Sequence, residues 1–248
     1  MDGNNSAPTR RGVAGPLILA LGLMGAAWIV GSSAIRIADS RATITVTGSA
    51  KQQIRSDLVV WRGMFSAQSP SLQSAYADLA ASGAKVRAYL ASKGIAESEA
   101  TVQSIQTRTF YQLGPNGRET STVTGYRLSQ IVEVRSTDVE RITDLSHEST
   151  ELIRQGIPFE SFPPEYLYTK LAELKVEMLA RATKDARARA EEMARNSGSR
   201  IGGLRSARMG VFQITPAFST AVSDYGVNDT SSLMKDITGV VTLSFEIR

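Results

Sequence analysis

Two serine–lysine spacings offer this chain its simplest route to chemistry. Ser82 precedes Lys85 and Ser232 precedes Lys235, a spacing that can set a lysine amine beside a serine hydroxyl and take its proton as the oxygen attacks an acyl group. The penicillin-binding pattern built on this pair also needs Lys-Thr-Gly and Ser-Asp-Asn segments, and the sequence has neither. Chance spacing is the expectation at both positions, with a Ser-Lys hydrolase as the alternative. The single histidine, His147, falls opposite the apolar stripe of its expected helix and should face solvent. With no cysteine, thiol nucleophiles, zinc-thiolate sites and iron-sulfur clusters are excluded, and one histidine leaves little for a Ser-His or multi-histidine metal site. No phosphate loop, dinucleotide fingerprint, HExxH or Gly-x-Ser-x-Gly segment occurs. The expectation is a non-enzyme with no catalytic residue, cofactor or metal.

A second candidate is the basic stretch "KDARARAEEMARNSGSRIGG", Lys184 to Gly203. Read with the turns before it, it loses that character: between Lys170 and Arg195 seven lysines and arginines meet five acidic residues, a net of +2. Glu177, Arg181, Asp185 and Arg189 follow at four-residue steps, as do Arg187, Glu191 and Arg195, the spacing at which opposite charges pair along a helix. Leu171, Leu174, Met178, Ala182, Ala186 and Met193 form an apolar stripe that thins from leucine to alanine, as expected where a helix lies close to a sheet. The reading is a solvated, self-paired face: Ala182, Ala186 and Met193 buried, Arg187 and Glu191 exposed, and the chain turning at Gly202-Gly203. The whole chain carries only +4 over 248 residues, so no nucleic-acid partner is expected.

The elements that position these residues begin with a long uncharged run. Gly12 to Ile35 holds 24 uncharged residues, about 36 Å as a helix against a bilayer core of roughly 30 Å. Arg10 and Arg11 precede it, and the positive-inside rule then leaves residues 1–11 in the cytoplasm and exports 36–248. A retained single-pass anchor over 12–35 is expected, with cleavage after Ala34 or a twin-arginine route as alternatives.

Beyond the anchor, "ATITVTGSA" alternates as a strand with Ile44 and Val46 on one face, and "DLVVWRGMFSA" follows as a second. Ser69 is the expected cap of a helix starting at Pro70, with Leu72, Tyr76, Leu79, Gly83, Val86 and Leu90 buried and a stop at Gly94-Ile95. A hairpin turns at Asn116-Gly117, its return strand placing Tyr126, Leu128, Val132 and Val134 on one face. Thr137 to Glu140 reads as a capping box opening a helix with Val139, Ile142, Leu145, Ser149, Leu152 and Ile153 buried, ending at Gly156-Ile157. Strand, helix, Gly-Ile and return segment thus occur twice, a weak internal repeat. The longest helix is expected over Glu165–Asn196, followed by strands in "GGLRSARMGVFQI" and "TGVVTLSFEIR". The order ββαββα(β)αββ predicts an α+β fold of antiparallel sheet packed against helices, preceded by one transmembrane helix.

Two segments are candidates for contact with other molecules. "IPFESFPPEYLYT" sets Phe159, Phe162, Tyr166 and Tyr168 among three prolines. Rigid aromatics suit a protein or oligomer interface, and equally a crossover pinned to the core. The polar loop "TPAFSTAVSDYGVNDTSSLMKD" is expected to be mobile and to order against a partner.

Taken together, "ITVTGSAKQQIRSDLVV" with Gly48, Ala50 and Asp57, the pair Gly125-Tyr126, the alanine-rich helix "ARATKDARARAEEMARNSGSRIGG" and the final hydrophobic strand resemble the SIMPL-domain family of bacterial envelope proteins, over roughly Arg41 to Arg248. The resemblance implies an exported α+β domain that assembles into rings or other oligomers and has links to envelope or oxidative stress, with no established enzyme activity and no catalytic residue to carry over. The resulting expectation is a protein of the bacterial inner membrane, its domain 36–248 periplasmic. Its expected partners are further copies of itself or envelope proteins; a small-ligand binding module is the alternative from another class.

Overall fold

The computed structural model describes residues 42–248 together with Gly22, Met24 and Trp28. The expected cytoplasmic segment with Arg10 and Arg11 lies outside the described residues, as does the expected anchor 12–35 apart from those three. Among the described residues no helix is long and apolar enough to cross a membrane. The chain divides into two compact units. The larger comprises Ser49–Ala182 and Gly210–Val240; the smaller has residues 42–48 with Thr183–Met209 and Val241–Arg248.

In the larger unit β2 (Leu58–Ser69) is followed by α1 (Leu72–Ser92), β3 (Ala100–Val102), β4 (Gln106–Leu113), β5 (Glu119–Ser136), α2 (Val139–Glu148), α3 (Glu151–Arg154), β6 (Phe159–Ser161) and β7 (Glu165–Leu167). The sheet order is β3-β5-β2-β6, with β4 also on β5 and β7 also on β2, and every pair is antiparallel. Two split β-α-β halves interleaved in this way make the ferredoxin-like arrangement. The expected internal repeat is its sequence trace: each half runs strand, helix, left-handed glycine, isoleucine and return strand.

Both helical stops use one device. Gly94 and Gly156 take φ of 76° and 79°, and the following Ile95 and Ile157 donate their N–H groups to Leu90 O at 3.0 Å and Leu152 O at 3.1 Å. A left-handed glycine satisfies the last carbonyls while the next apolar side chain folds onto the final turn; Ile95 and Ile157 are 6% and 2% exposed. Residues of alternate parity on β2 (Val59, Trp61, Phe65, Ala67) and β5 (Leu128, Val132, Val134) face these helices, and with Leu79, Val86, Leu90, Ile142, Leu145 and Leu152 they form the principal core.

Several expected boundaries move. Ser69 still pairs with Tyr126 in the β2–β5 ladder, so the cap of α1 is Ser71, whose Oγ accepts from Ser74 N–H. The buried stripe then starts at Ala75 and includes Tyr89, leaving Leu72 and Tyr76 exposed. Asp138, rather than Thr137, caps α2 by accepting from Arg141 N–H at 3.2 Å. The expected single helix breaks at Ser149–Thr150 into α2 and α3, where Ser149 Oγ donates to Ser146 O at 2.9 Å, and Ile153 points outward.

The larger unit also holds residues 49–55 of β1 (Thr43–Arg55), 171–182 of α4 (Leu171–Asn196), β9 (Gln213–Pro216), β10 (Val227–Asn228) and residues 234–240 of β11 (Met234–Ile247). A second core of Ile54, Leu174, Met178, Ile214 and Ile237 forms among them. The expected start of the long helix at Glu165 is corrected to Leu171, because Glu165–Leu167 pair with Val60–Leu58 as β7.

The smaller unit contains residues 43–48 of β1, 241–247 of β11, β8 (Ile201–Met209) and residues 183–196 of α4. The helix buries Ala186, Ala190 and Ala194 at four-residue steps, and the strands bury Val46, Val241, Leu243 and Phe245. Alanines with no side chain beyond Cβ let a helix approach a sheet closely. Met193 is 53% exposed, correcting the expected stripe, since Ala190 and Ala194 hold the inward positions. Arg187 is exposed, and Glu191 only half-buried. The turn after α4 sits at Gly198, φ 76°, with Ser199 N–H on Ala194 O at 2.9 Å; Gly202 and Gly203 are strand residues. The charge pairs form as spaced, Arg181 on Glu177, Arg189 on Asp185 and Arg187 on Glu191, while Arg195 takes Glu192.

Candidate functional site

Neither serine–lysine spacing assembles a nucleophile and base. Ser82 and Lys85 lie on the outer part of α1 beside a shallow surface cleft, with no hydrogen bond between them. His147 is exposed, as expected. Lys235 instead is almost fully buried at 2% exposure, and its Nζ donates to the backbone oxygen of Asp229 and to Asp229 Oδ2. Ser232 enters this cluster through its backbone, donating N–H to Asp229 Oδ2 at 3.2 Å.

Asp229 organises the loop before β11. Its Oδ1 accepts from Ser231 N–H at 3.0 Å and Ser231 Oγ at 2.7 Å. Burial pushes this carboxyl up, but the donors of Ser231 and Ser232 and the charge of Lys235 together outweigh it and hold it at about 2. Burial pulls the Lys235 ammonium below its usual range, against the opposing pull of Asp229. The pair lines a cavity of about 80 Å³ with Ile54, Tyr168 and Ile214. A lysine held this way by Asp229 is a strut of the loop.

Next to it, Asp236 is 4% exposed and accepts from Lys51 Nζ at 2.9 Å and from Phe218 N–H at 2.8 Å. The Lys51 hydrogen bond leads the causes that hold its carboxyl below the usual range. From this anchor the loop presents Phe218, Val222 and Tyr225 at 86%, 82% and 96% exposure. Sequence reading registered the loop's polarity and missed its displayed rings, because the carboxylate that holds it comes from β11.

The aromatic segment divides. Phe159 and Tyr166 are buried, at 8% and 9%, with Phe159 against Trp61 at a ring separation of 6.2 Å and Tyr166 Oη within 3.0 Å of Thr143 Oγ1. Phe162 and Tyr168 are half-buried, and Tyr168 packs on the second core. Between these rings runs a polar chain: Trp61 Nε1 donates to Ser161 Oγ at 3.0 Å, which donates to Ser146 O at 2.8 Å. On the opposite face of the same sheet Arg62 bridges Glu133 and Glu165, each at 2.7 Å. Among the described residues no group of three or more His, Asp or Glu is placed to hold a metal ion.

These elements coincide with one family pattern. The model of the SIMPL family, described as a protein of unknown function (DUF541), matches residues 44–245. The chain belongs to the SIMPL family. No curated protein matches it. The SIMPL residues singled out in the sequence have structural work here. Asp57 accepts from Thr169 N–H at 2.7 Å and Thr169 Oγ1 at 2.8 Å, pinning the lead-in of α4 to the β1–β2 turn. Gly125 lets β5 pass the end of β2, since a Cβ there would stand 3.2 Å from Ser69 O.

Among the described residues, the apolar face of the edge strand β8 stands uncovered. β8 is paired along one edge only among the described residues, with β11. Met209, Ala207 and Leu204 stand opposite Val241, Leu243 and Phe245, so they share the sheet face that is buried at β11. Yet Leu204 and Met209 are 55% and 62% exposed. The polar face carries Thr45, Thr47, Thr242 and Ser244, linked in pairs across β1 and β11.

Proposed function

We propose that this SIMPL protein is a non-enzymatic assembly module of the bacterial envelope, held at the inner membrane by residues 12–35, with its domain 36–248 periplasmic. The observation that supports assembly is the uncovered apolar strip of β8. A nine-residue edge strand offers unpaired backbone groups to another strand, and exposed Leu204 and Met209 gain apolar contact when a second copy covers them. Within the smaller unit the strand order is β1-β11-β8, leaving the outer edge of β1 open as well among the described residues. Addition of β8 from one copy to β1 of the next is heterologous, and such contacts close into rings or continue as filaments.

Sedimentation of the detergent-solubilised full chain tests this reading. The wild type is expected as a discrete oligomer, and Leu204→Asp with Met209→Asp as a folded monomer. A wild type that sediments only as monomer removes the proposal; an oligomer insensitive to both substitutions moves the contact away from β8.

A further inference from the structure

Beside the C-terminal end of α1 a cavity of about 540 Å³ opens between that helix and β3, within the range of about 300–1,000 Å³ usual for small-molecule sites. Its accessible apolar lining is Ala91, Ala96, Ala100 and Val102, the last toward the strand edge, with the buried Leu90 and Ile95 beneath them. Two charged side chains line it, Arg87 and Glu97. Neither side chain has a hydrogen-bond or ion-pair partner within the described residues, whereas most arginines of α4 are paired.

We propose that this cavity binds a small zwitterion with an apolar side chain, the chemistry of a free aliphatic or aromatic α-amino acid. An apolar lining rewards a hydrocarbon group and offers a sugar no hydrogen bonds. One cation and one anion at the rim match a ligand carrying both charges, with carboxylate toward the Arg87 guanidinium and ammonium toward Glu97. A fatty acid satisfies Arg87 and meets repulsion from Glu97; an alkyl amine does the reverse. The site is independent of the assembly reading, since it uses no residue of β8.

Calorimetric titration of the detergent-solubilised full chain with L-leucine and L-phenylalanine tests it, with 4-methylpentanoate and 3-methylbutylamine as single-charge controls. Both amino acids are expected to bind, and each control at least about tenfold more weakly, the loss of one charge-assisted contact. Arg87→Gln and Glu97→Gln are expected to weaken the amino acids by about tenfold each. Both are surface residues, so an unchanged circular dichroism spectrum separates lost binding from lost fold. Ala91→Trp, on the exposed wall, is expected to abolish binding by filling the cavity. No heat from either amino acid, single-charge analogues that bind as well as the amino acids, or Gln variants that bind like wild type would each overturn the proposal.

Discussion

Asp236 holds Phe218 in a left-handed backbone conformation. The buried carboxylate accepts the Phe218 N–H at 2.8 Å, and Phe218 is the one non-glycine residue with positive φ, 64°, among the described residues. An L-residue there costs on the order of 1 kcal/mol, and the ring recovers little by burial at 86% exposure. Phe218→Gly is therefore expected to stabilise the protein by about 1 kcal/mol, a rise of about 2–4 °C in Tm. Thermal unfolding followed by circular dichroism checks it; an unchanged or lower Tm would show that the ring contributes contacts that offset its backbone strain.

The Asp229–Lys235 pair predicts a non-additive pair of substitutions. Asp229→Asn strands a lysine at 2% exposure and is expected to cost about 3 kcal/mol. Adding Lys235→Met to that variant removes the stranded charge and should recover most of the loss. Urea unfolding of the single and double variants measures the coupling, and additive losses would contradict a buried pair.

Asp229 also sets an acid limit. Its folded-state pKa of about 2 lies below the ordinary 3.8, so the unfolded chain binds the proton more readily and the associated stability falls as pH drops. That contribution is complete above about pH 5 and lost progressively toward pH 2. Glu99, Glu133 and Asp236 are also held low, chiefly by hydrogen bonds from Ser136, Arg62 and Lys51 respectively, and add in the same direction. In an acid titration of stability, Asp229→Asn is expected to show a shallower slope than wild type across this window; parallel curves would count against the assignment.

Gly63 and Phe159 predict a steric coupling. A Cβ on Gly63 would lie 2.3 Å from the Phe159 ring, so Gly63→Ala is expected to destabilise by about 1–3 kcal/mol through overpacking. Phe159→Leu, which removes the far end of the ring, should relieve part of that loss in the double variant. Phe159→Ala alone is expected to cost about 3–5 kcal/mol, against less for the half-buried Phe162. Equal effects at the two phenylalanines, measured by chemical unfolding, would reverse this division of the aromatic segment.

The legible parts of the fold were those governed by neighbours in the chain. The stops at Gly94-Ile95 and Gly156-Ile157 were readable because a left-handed glycine followed by an apolar residue closes a helix locally. The charge pairs of α4 follow from four-residue spacing alone, and they turned an apparently basic arm into a solvated face. The exposed position of His147 came from helical phase. The errors cluster where a partner far along the chain decides. Ser69 looked like a cap until β5 extended the ladder to it, and Glu165 looked helical until β2 offered it a strand edge. The candidate site was less legible than the fold: the Ser232-Lys235 spacing was visible, yet Asp229 consumes the lysine, and nothing local marks Lys51 as the partner of Asp236.

The sequence by itself determined an α+β chain with two strand-helix-glycine halves, a long charge-paired helix and an absence of cysteine, because periodicity, capping and composition act over a few residues. Only the tertiary structure decided which aromatic rings are core and which are displayed. It also decided that β8 carries its apolar face uncovered and that Arg87 and Glu97 share the rim of an apolar cavity. Burial is a property of what lies across the fold, and residues far apart in the chain supply it.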